Sequence, residues 1–268
     1  MSTRIHPTAI VAPGAELDDE VEVGPYAVIG EHVRIGRGTR VGPHAVIENR
    51  TTIGAGSRIF QFAAVGAIPQ DLKYRGEPSE LVLGERNVVR EFATLHIGTE
   101  GGGGVTVVGD DNLLMNFCHV AHDCRIGSRA VLANGATLGG HVTVADHVIV
   151  GGLAAVHQFV RLGESAMAAG GAIVVQDVPP YCVAAGNRAT LAGLNVEGLR
   201  RRGFAADVTR ALRRAYRAVF RSGVPLRQAV ETVRAELGSV AEVARFLDFV
   251  ETSKRGVCRV RGRSDEDE

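Results

Sequence analysis

Tryptophan is absent from this 268-residue chain, tyrosine occurs four times, and aromatic residues make up only 5% of the sequence. A core built on large rings is excluded, so the 45% apolar content must be carried by small aliphatics. Net charge is also missing: 30 Lys and Arg balance 30 Asp and Glu. Without a global field, nucleic acid is disfavoured as the main partner. No apolar run reaches the roughly 20 residues of a membrane span. The opening Met-Ser-Thr-Arg-Ile-His-Pro has no hydrophobic segment of the signal-peptide kind, and the expected location is cytoplasmic. Four cysteines, Cys118, Cys124, Cys182 and Cys258, form no Cys-x-x-Cys pair, and a chain this long needs no disulfide framework.

What the chain does have is 34 glycines and a six-residue period. From Ile5 to Val65 an isoleucine, leucine or valine recurs every six residues, with a small or β-branched residue usually four positions later. A helix needs a period of 3.6 and an isolated strand a period of 2. A sustained period of six means that the chain turns a corner every six residues, as in a parallel β-solenoid. The register breaks after Gln70; residues 71 to 82 carry charges at would-be core positions and read as an extruded loop, a kind that is often functional. Hexads resume at Leu83, and a second excursion near 100–107 contains Gly101 to Gly104. That tetraglycine is followed by no lysine and helix, so it reads as a flexible flap and not a phosphate cradle.

A third block of hexads runs from Val108 to Val178, and Pro179-Pro180 stops it because neither can donate to a ladder. The expected solenoid spans 1–190. Beyond it the period becomes helical, predicting an α-helical unit over 191–259 with helices near 195–202, 207–221, 226–237 and 239–250. Asp207 is a candidate N-cap and Ser239 with Glu242 a candidate capping box. The acidic end, 260–268, is expected to be a disordered tail.

With three hexads per coil, residues 18 apart stack. The hexads at Val120, Leu138 and Val156 then share a face and carry His122, His141 and His157, with His119 at the corner before them. Any one of these alone would read as a surface histidine; four along one ridge suggest a site. Imidazole titrates near neutrality and suits general-base work. Asp123 could orient His122, and Gly139-Gly140 would leave backbone amides open to an oxyanion. Cys118 and Cys124 fall at the small inward position and read as core. Asp71 and Lys73 in the loop, and Asn195, Glu197, Arg201 and Arg202 farther on, are polar groups able to hold a sugar nucleotide. A strip of Arg213, Arg214, Arg217 and Arg221 would attract an acidic partner.

The hexads resemble the hexapeptide-repeat family of left-handed parallel β-helices; only that resemblance implies the left hand. Five blocks narrow it: Gln70-Asp-Leu-Lys-Tyr74 with Gly76-Glu-Pro78, His119-Val-Ala-His-Asp-Cys124, Ala155-Val-His-Gln-Phe159, Gln176-Asp-Val-Pro-Pro-Tyr181 and Asn195 through Phe204. In this order they resemble the acyl-carrier-protein-dependent UDP-N-acetylglucosamine O-acyltransferases that begin lipid A synthesis in Gram-negative bacteria. The resemblance implies His122 as the base on the glucosamine 3-hydroxyl, Asp123 as its orienter and the Gly140 amide as oxyanion donor. It implies Asp71, Lys73, His119, His141, His157 and Gln158 around the sugar and acyl groups. Asn195, Glu197, Arg201 and Arg202 would hold the nucleotide, and Gly170 would leave room for a long (R)-3-hydroxyacyl chain. It further implies a homotrimer with sites between subunits, acyl carrier protein as donor and partner, no cofactor and no metal. Two other readings share the fold: a zinc γ-type carbonic anhydrase using His119, His122 and His141, and an acetyl-CoA-dependent sugar acetyltransferase. A scaffold without catalysis would leave the histidine ridge unexplained.

Overall fold

The computed structural model describes residues 2–260. The expected tail lies outside the described residues apart from Val260. Up to Ile173–Val174, strands of mostly two residues follow one another and join three sheets in rotation, so each sheet is built from every third strand. Pairing is parallel and the usual offset is 18, as in Arg4 with Glu22 and Thr137 with Ala155. One coil therefore consumes three hexads. The inward positions are packed to exclusion of water: Ile29, Ile35, Ile47, Val120, Leu138 and Val150 are all buried, as are the small residues Ala27, Ala45, Cys118 and Cys124. All four cysteines are free and buried.

The corners explain how so short a repeat closes. Most place a residue in the left-handed region, and many of these are not glycine, among them Phe92, Phe117, Asp123, His141 and Phe159. That conformation costs about 1–2 kcal/mol for an ordinary residue. The neighbouring rung offsets it with a backbone bond, such as His141 N–H to the His122 carbonyl at 3.0 Å and Phe159 N–H to the Gly140 carbonyl at 3.0 Å. Corner residues thus stack along three edges. The first edge joins the first and second sheets, the second edge the second and third, and the third edge returns to the first.

Within the second sheet the register jumps twice: Ala64 pairs with Thr94 and Thr94 with His119. Those offsets, 94 − 64 = 30 and 119 − 94 = 25, exceed 18 by 12 and 7 residues. Both insertions leave from the second edge. Each lies three residues earlier than the sequence suggests, at 68–79 and 97–104, because Glu80–Leu83 and Val105–Val108 are strands of the third sheet, paired with one another. Leu81 is wholly buried, and the alternation Glu80-Leu81-Val82-Leu83 supplies the inward residues that the charge count obscured. The tetraglycine forms a single 3₁₀ turn, Glu100–Gly102, bonded back to Thr99, in place of the expected flap.

Past Pro180 the solenoid continues for one more strand, Cys182–Ala185, which turns back antiparallel as Thr190–Leu194. Helices α1 (Val196–Arg201), α2 (Ala206–Arg221), α3 (Leu226–Leu237) and α4 (Ala241–Glu251) follow. Two expected caps differ. Ala205 takes the N-cap position of α2, with Asp207 in the first turn, and Val240 takes that of α4, so no Ser239 capping box forms. Packing of Leu212, Val219, Val233 and Phe246 fixes these helix starts instead of side-chain caps. Arg161 ties α4 to the solenoid, with its guanidinium 4.2 Å from the Phe249 ring and bonded to the Phe249 carbonyl.

Candidate active site

The second edge gathers the titratable residues. His122 and Asp123 occupy one corner, Gly140 and His141 the corner above, and His157 to Phe159 the next. The Asp123 side chain is fully buried, and its Oδ2 lies 2.7 Å from His122 Nδ1. A carboxylate only accepts, so Nδ1 carries the proton and Nε2 is the ring's remaining acceptor. Thr99 holds the same carboxylate from the other side: its N–H donates to Oδ1 at 2.9 Å and its hydroxyl to Oδ2 at 2.6 Å.

Gly140 lies against this pair. A Cβ added there would come within 2.6–2.7 Å of the His122 ring, so only glycine admits the imidazole. Among the described residues its N–H has no backbone acceptor, while its carbonyl is used by Phe159. A free amide beside a basic imidazole is the arrangement an oxyanion-forming reaction uses. His141 crosses His122 edge to face at 5.1 Å and stacks on Phe159 at 4.3 Å. Burial pushes its imidazole down, opposed by Asp123 and by Asp71 of the first insertion.

His119 donates to or accepts from the Thr94 hydroxyl at 2.7 Å, and burial pushes its imidazole down to about 4. It meets His96, a residue the hexad reading passed over. His96 is buried, its Nδ1 is 2.6 Å from the Ile68 carbonyl, and its Nε2 has no partner. The register jump hid it: His96 sits one place past the inward Leu95, in a rung whose neighbours are 30 and 25 residues away.

Other expected residues go elsewhere. Asp71 and Lys73 lie in the first insertion, where the Asp71 carboxylate accepts from the Lys73 N–H and Leu72 between them is 96% exposed. Gln158 is exposed on the rung above Gly140, and His157 turns toward Arg255 at 3.3 Å. Gly170 is exposed on the first edge. Asn195 caps α1 and donates to the Ser165 carbonyl on the third edge, where Arg202 pairs with Glu164 at 3.2 Å. Glu197 is engaged by Arg200 and Arg201, which hold its carboxyl down at about 2. One chain therefore brings together His122, Asp123, Gly140, His141, His119 and Asp71. It leaves the α1 group and Gly170 on other edges.

Among the described residues, His122, Asp123 and His141 form the one group of three metal-capable side chains with ligand atoms within 4.8 Å. Both Asp123 oxygens are already taken by Thr99 and His122, so the set is arranged as a hydrogen-bonded relay.

Residues 26–61 and 105–140 match the family described as bacterial transferase hexapeptide (six repeats), and residues 177–258 match UDP N-acetylglucosamine O-acyltransferase, domain 2. The acyl-[acyl-carrier-protein]–UDP-N-acetylglucosamine O-acyltransferase of Janthinobacterium sp. (strain Marseille) is 54% identical over 95% of this chain and 99% of its own length. The chain belongs to the UDP-N-acetylglucosamine O-acyltransferase family. Two solved structures bear out the family fold. The UDP-N-acetylglucosamine acyltransferase of Francisella novicida is 39% identical, covers 95% of this chain and 94% of its own, and superposes with a TM-score of 0.92. A second from Acinetobacter baumannii is 42% identical, with coverages of 95% and 99% and a TM-score of 0.92.

Proposed function

We propose that this O-acyltransferase moves a (R)-3-hydroxyacyl chain from acyl carrier protein to the 3-hydroxyl of UDP-N-acetylglucosamine, the first step of lipid A synthesis. The observation that carries the reading is the His122–Asp123 pair beside the free Gly140 amide. In it, His122 Nε2 takes the proton from the sugar hydroxyl as that oxygen attacks the thioester carbonyl. Asp123 keeps the imidazolium aligned and balances its charge, and the Gly140 N–H donates to the oxyanion. Collapse breaks the C–S bond, and the carrier thiolate leaves with the proton from His122. No cofactor is required by these steps, and the carrier thioester sets the reaction in the cytoplasm.

The reading takes the coil as left-handed, residues 1–190 as the catalytic solenoid and 191–259 as a helical unit. It takes the protein as a homotrimer, because one chain separates the histidine edge from the nucleotide-holding residues Asn195, Glu197, Arg201 and Arg202. A neighbour in a closed ring would face the second edge of one subunit with another edge of the next. Leu72, apolar and nearly bare at the tip of the first insertion, fits a side chain that a neighbour covers. Lys73 would accompany it, His119, His141, His157 and Gln158 would shape the pocket, and Gly170 would leave room for a long acyl chain. The arginines of α2, exposed at 213, 214 and 217, would meet the acidic carrier protein.

Purified protein incubated with UDP-N-acetylglucosamine and 3-hydroxyacyl carrier proteins of several lengths should give an acylated sugar nucleotide by mass spectrometry. His122→Ala should give almost none. Absence of product with every donor would overturn the function, and full activity in the variant would remove His122 from its role.

A further inference from the structure

The second insertion has no place in the reaction as described, yet it closes over Asp123. Thr99, at its start, donates from both its N–H and its hydroxyl to the two oxygens of the buried carboxylate. Gly102 then passes so close that an added Cβ would fall 1.9 Å from Asp123 Cγ. The 3₁₀ turn is held in place by Gly102 and Gly104 N–H bonds to the Thr99 carbonyl at 3.0 and 2.8 Å. The Asp123 N–H donates to the Thr106 hydroxyl at 2.8 Å, on the strand that follows the insertion. Asp123 is thus gripped from three sides by residues 99 to 106, and its carboxylate otherwise meets His122 at 2.7 Å and His141 Nε2 at 3.8 Å.

We propose that Thr99 and Gly102 form a clamp that sets the orientation and basicity of His122 through Asp123, making them positioning residues for the acyl transfer. The proposal rests on His122 acting as the base. Two donors from Thr99 stabilise the ionised carboxylate and moderate its pull on the imidazole proton. Without the hydroxyl, His122 is the one hydrogen-bond partner left to Oδ2, with His141 Nε2 farther off at 3.8 Å. The charge pair then strengthens, the imidazolium is favoured, and the neutral base is reached only at a higher pH. The other groups facing the pair are His96 on the rung before it, His119 on the same rung, His141 on the rung after it and Asp71 in the first insertion. None of these is altered by a change at Thr99.

The test compares Thr99→Val, Thr99→Ser and Gly102→Ala with the intact protein. Thr99→Val should lower kcat about tenfold or more while leaving KM for the sugar nucleotide nearly unchanged. It should also move the acid limb of the kcat profile upward by roughly half a unit. Thr99→Ser, which restores both donors, should return the limb to its original position. Gly102→Ala should lower kcat with a melting temperature close to that of the parent. Imidazole titration of the free protein by NMR reads the same shift without substrate. That reading separates failure of the clamp from failure of the acyltransferase assignment. A Thr99→Val protein with the parent's acid limb and the parent's imidazole titration would overturn the clamp.

Discussion

The first and second edges of the prism are built from the same repeat, but their rings are placed differently: the first edge sets them at left-handed corners, whereas on the second only His141 and Phe159 take such corners and His96 and His119 lie in strands. Along the first edge Tyr26, His44, Phe62, Phe92 and Phe117 stack at 4.9–5.2 Å with planes within 17° of parallel, and the aromatic members stay exposed. Along the second edge the histidine rings turn on one another at 63° and 89°. The cause is polar: Thr94, Asp123 and the Ile68 carbonyl each fix a ring nitrogen, and a fixed nitrogen selects the edge-to-face arrangement over the stacked one. The insertions supply the rest, since both emerge from the second edge and bury what would otherwise be surface imidazoles. Repetition supplies positions, and interruption turns one row of them into a site.

That contrast can be broken most sharply at His122. His122→Gln should cut kcat by about 10²–10⁴, the range for loss of a positioned general base, whereas Phe92→Ala on the first edge should leave kcat unchanged. Equal losses would mean that the edges are not functionally distinct. Gly140→Ala should cost about 10² in kcat, because the added methyl and the His122 ring would occupy the same space. A fully active Gly140→Ala enzyme would refute the packing of base against amide.

A smaller effect lies in stability. Burial pushes His119 down to about 4, and His96 is lowered for the same reason. In the unfolded chain both titrate near 6.5. Between about 6.5 and 4 the unfolded state therefore holds more protons, and stability falls as pH falls through that window. Melting temperature should drop across it, and His119→Gln should flatten the drop; an unchanged slope would place His119 in water. The smallest effect belongs to the first edge, where Phe92→Ala should cost about 1–3 kcal/mol for two lost stacking partners. Chemical denaturation would measure it, and a neutral result would make that ladder decorative.

Much of the site was legible because the repeat is arithmetic. An offset of 18 places Gly140 over His122 and His141 over Asp123 without any structure, and the two cysteines fall inward as the period requires. What the period could not carry lies in the insertions. Thr99, Gly102 and His96 sit where the offset becomes 30 and then 25, so their alignment with Asp123 and His119 has no regular signature. The charges of Glu80 and the glycines of 101–104 also misled: the first conceals a strand that buries Leu81, the second a turn pinned by Thr99. Edges are a further blind spot, because a count of 18 reports what stacks but not which rows a neighbour brings together.

The central claim is that the histidine edge and the α1 arginines are halves of one site made by two subunits. Co-expression of His122→Ala chains with Arg201→Ala/Arg202→Ala chains tests it directly, since mixed assemblies of the proposed trimer would contain interfaces that carry an intact half from each parent. The account predicts that the mixture regains acyl transfer that neither parent shows alone. A mixture as inactive as its parents, in particles shown to contain both chains, would contradict it.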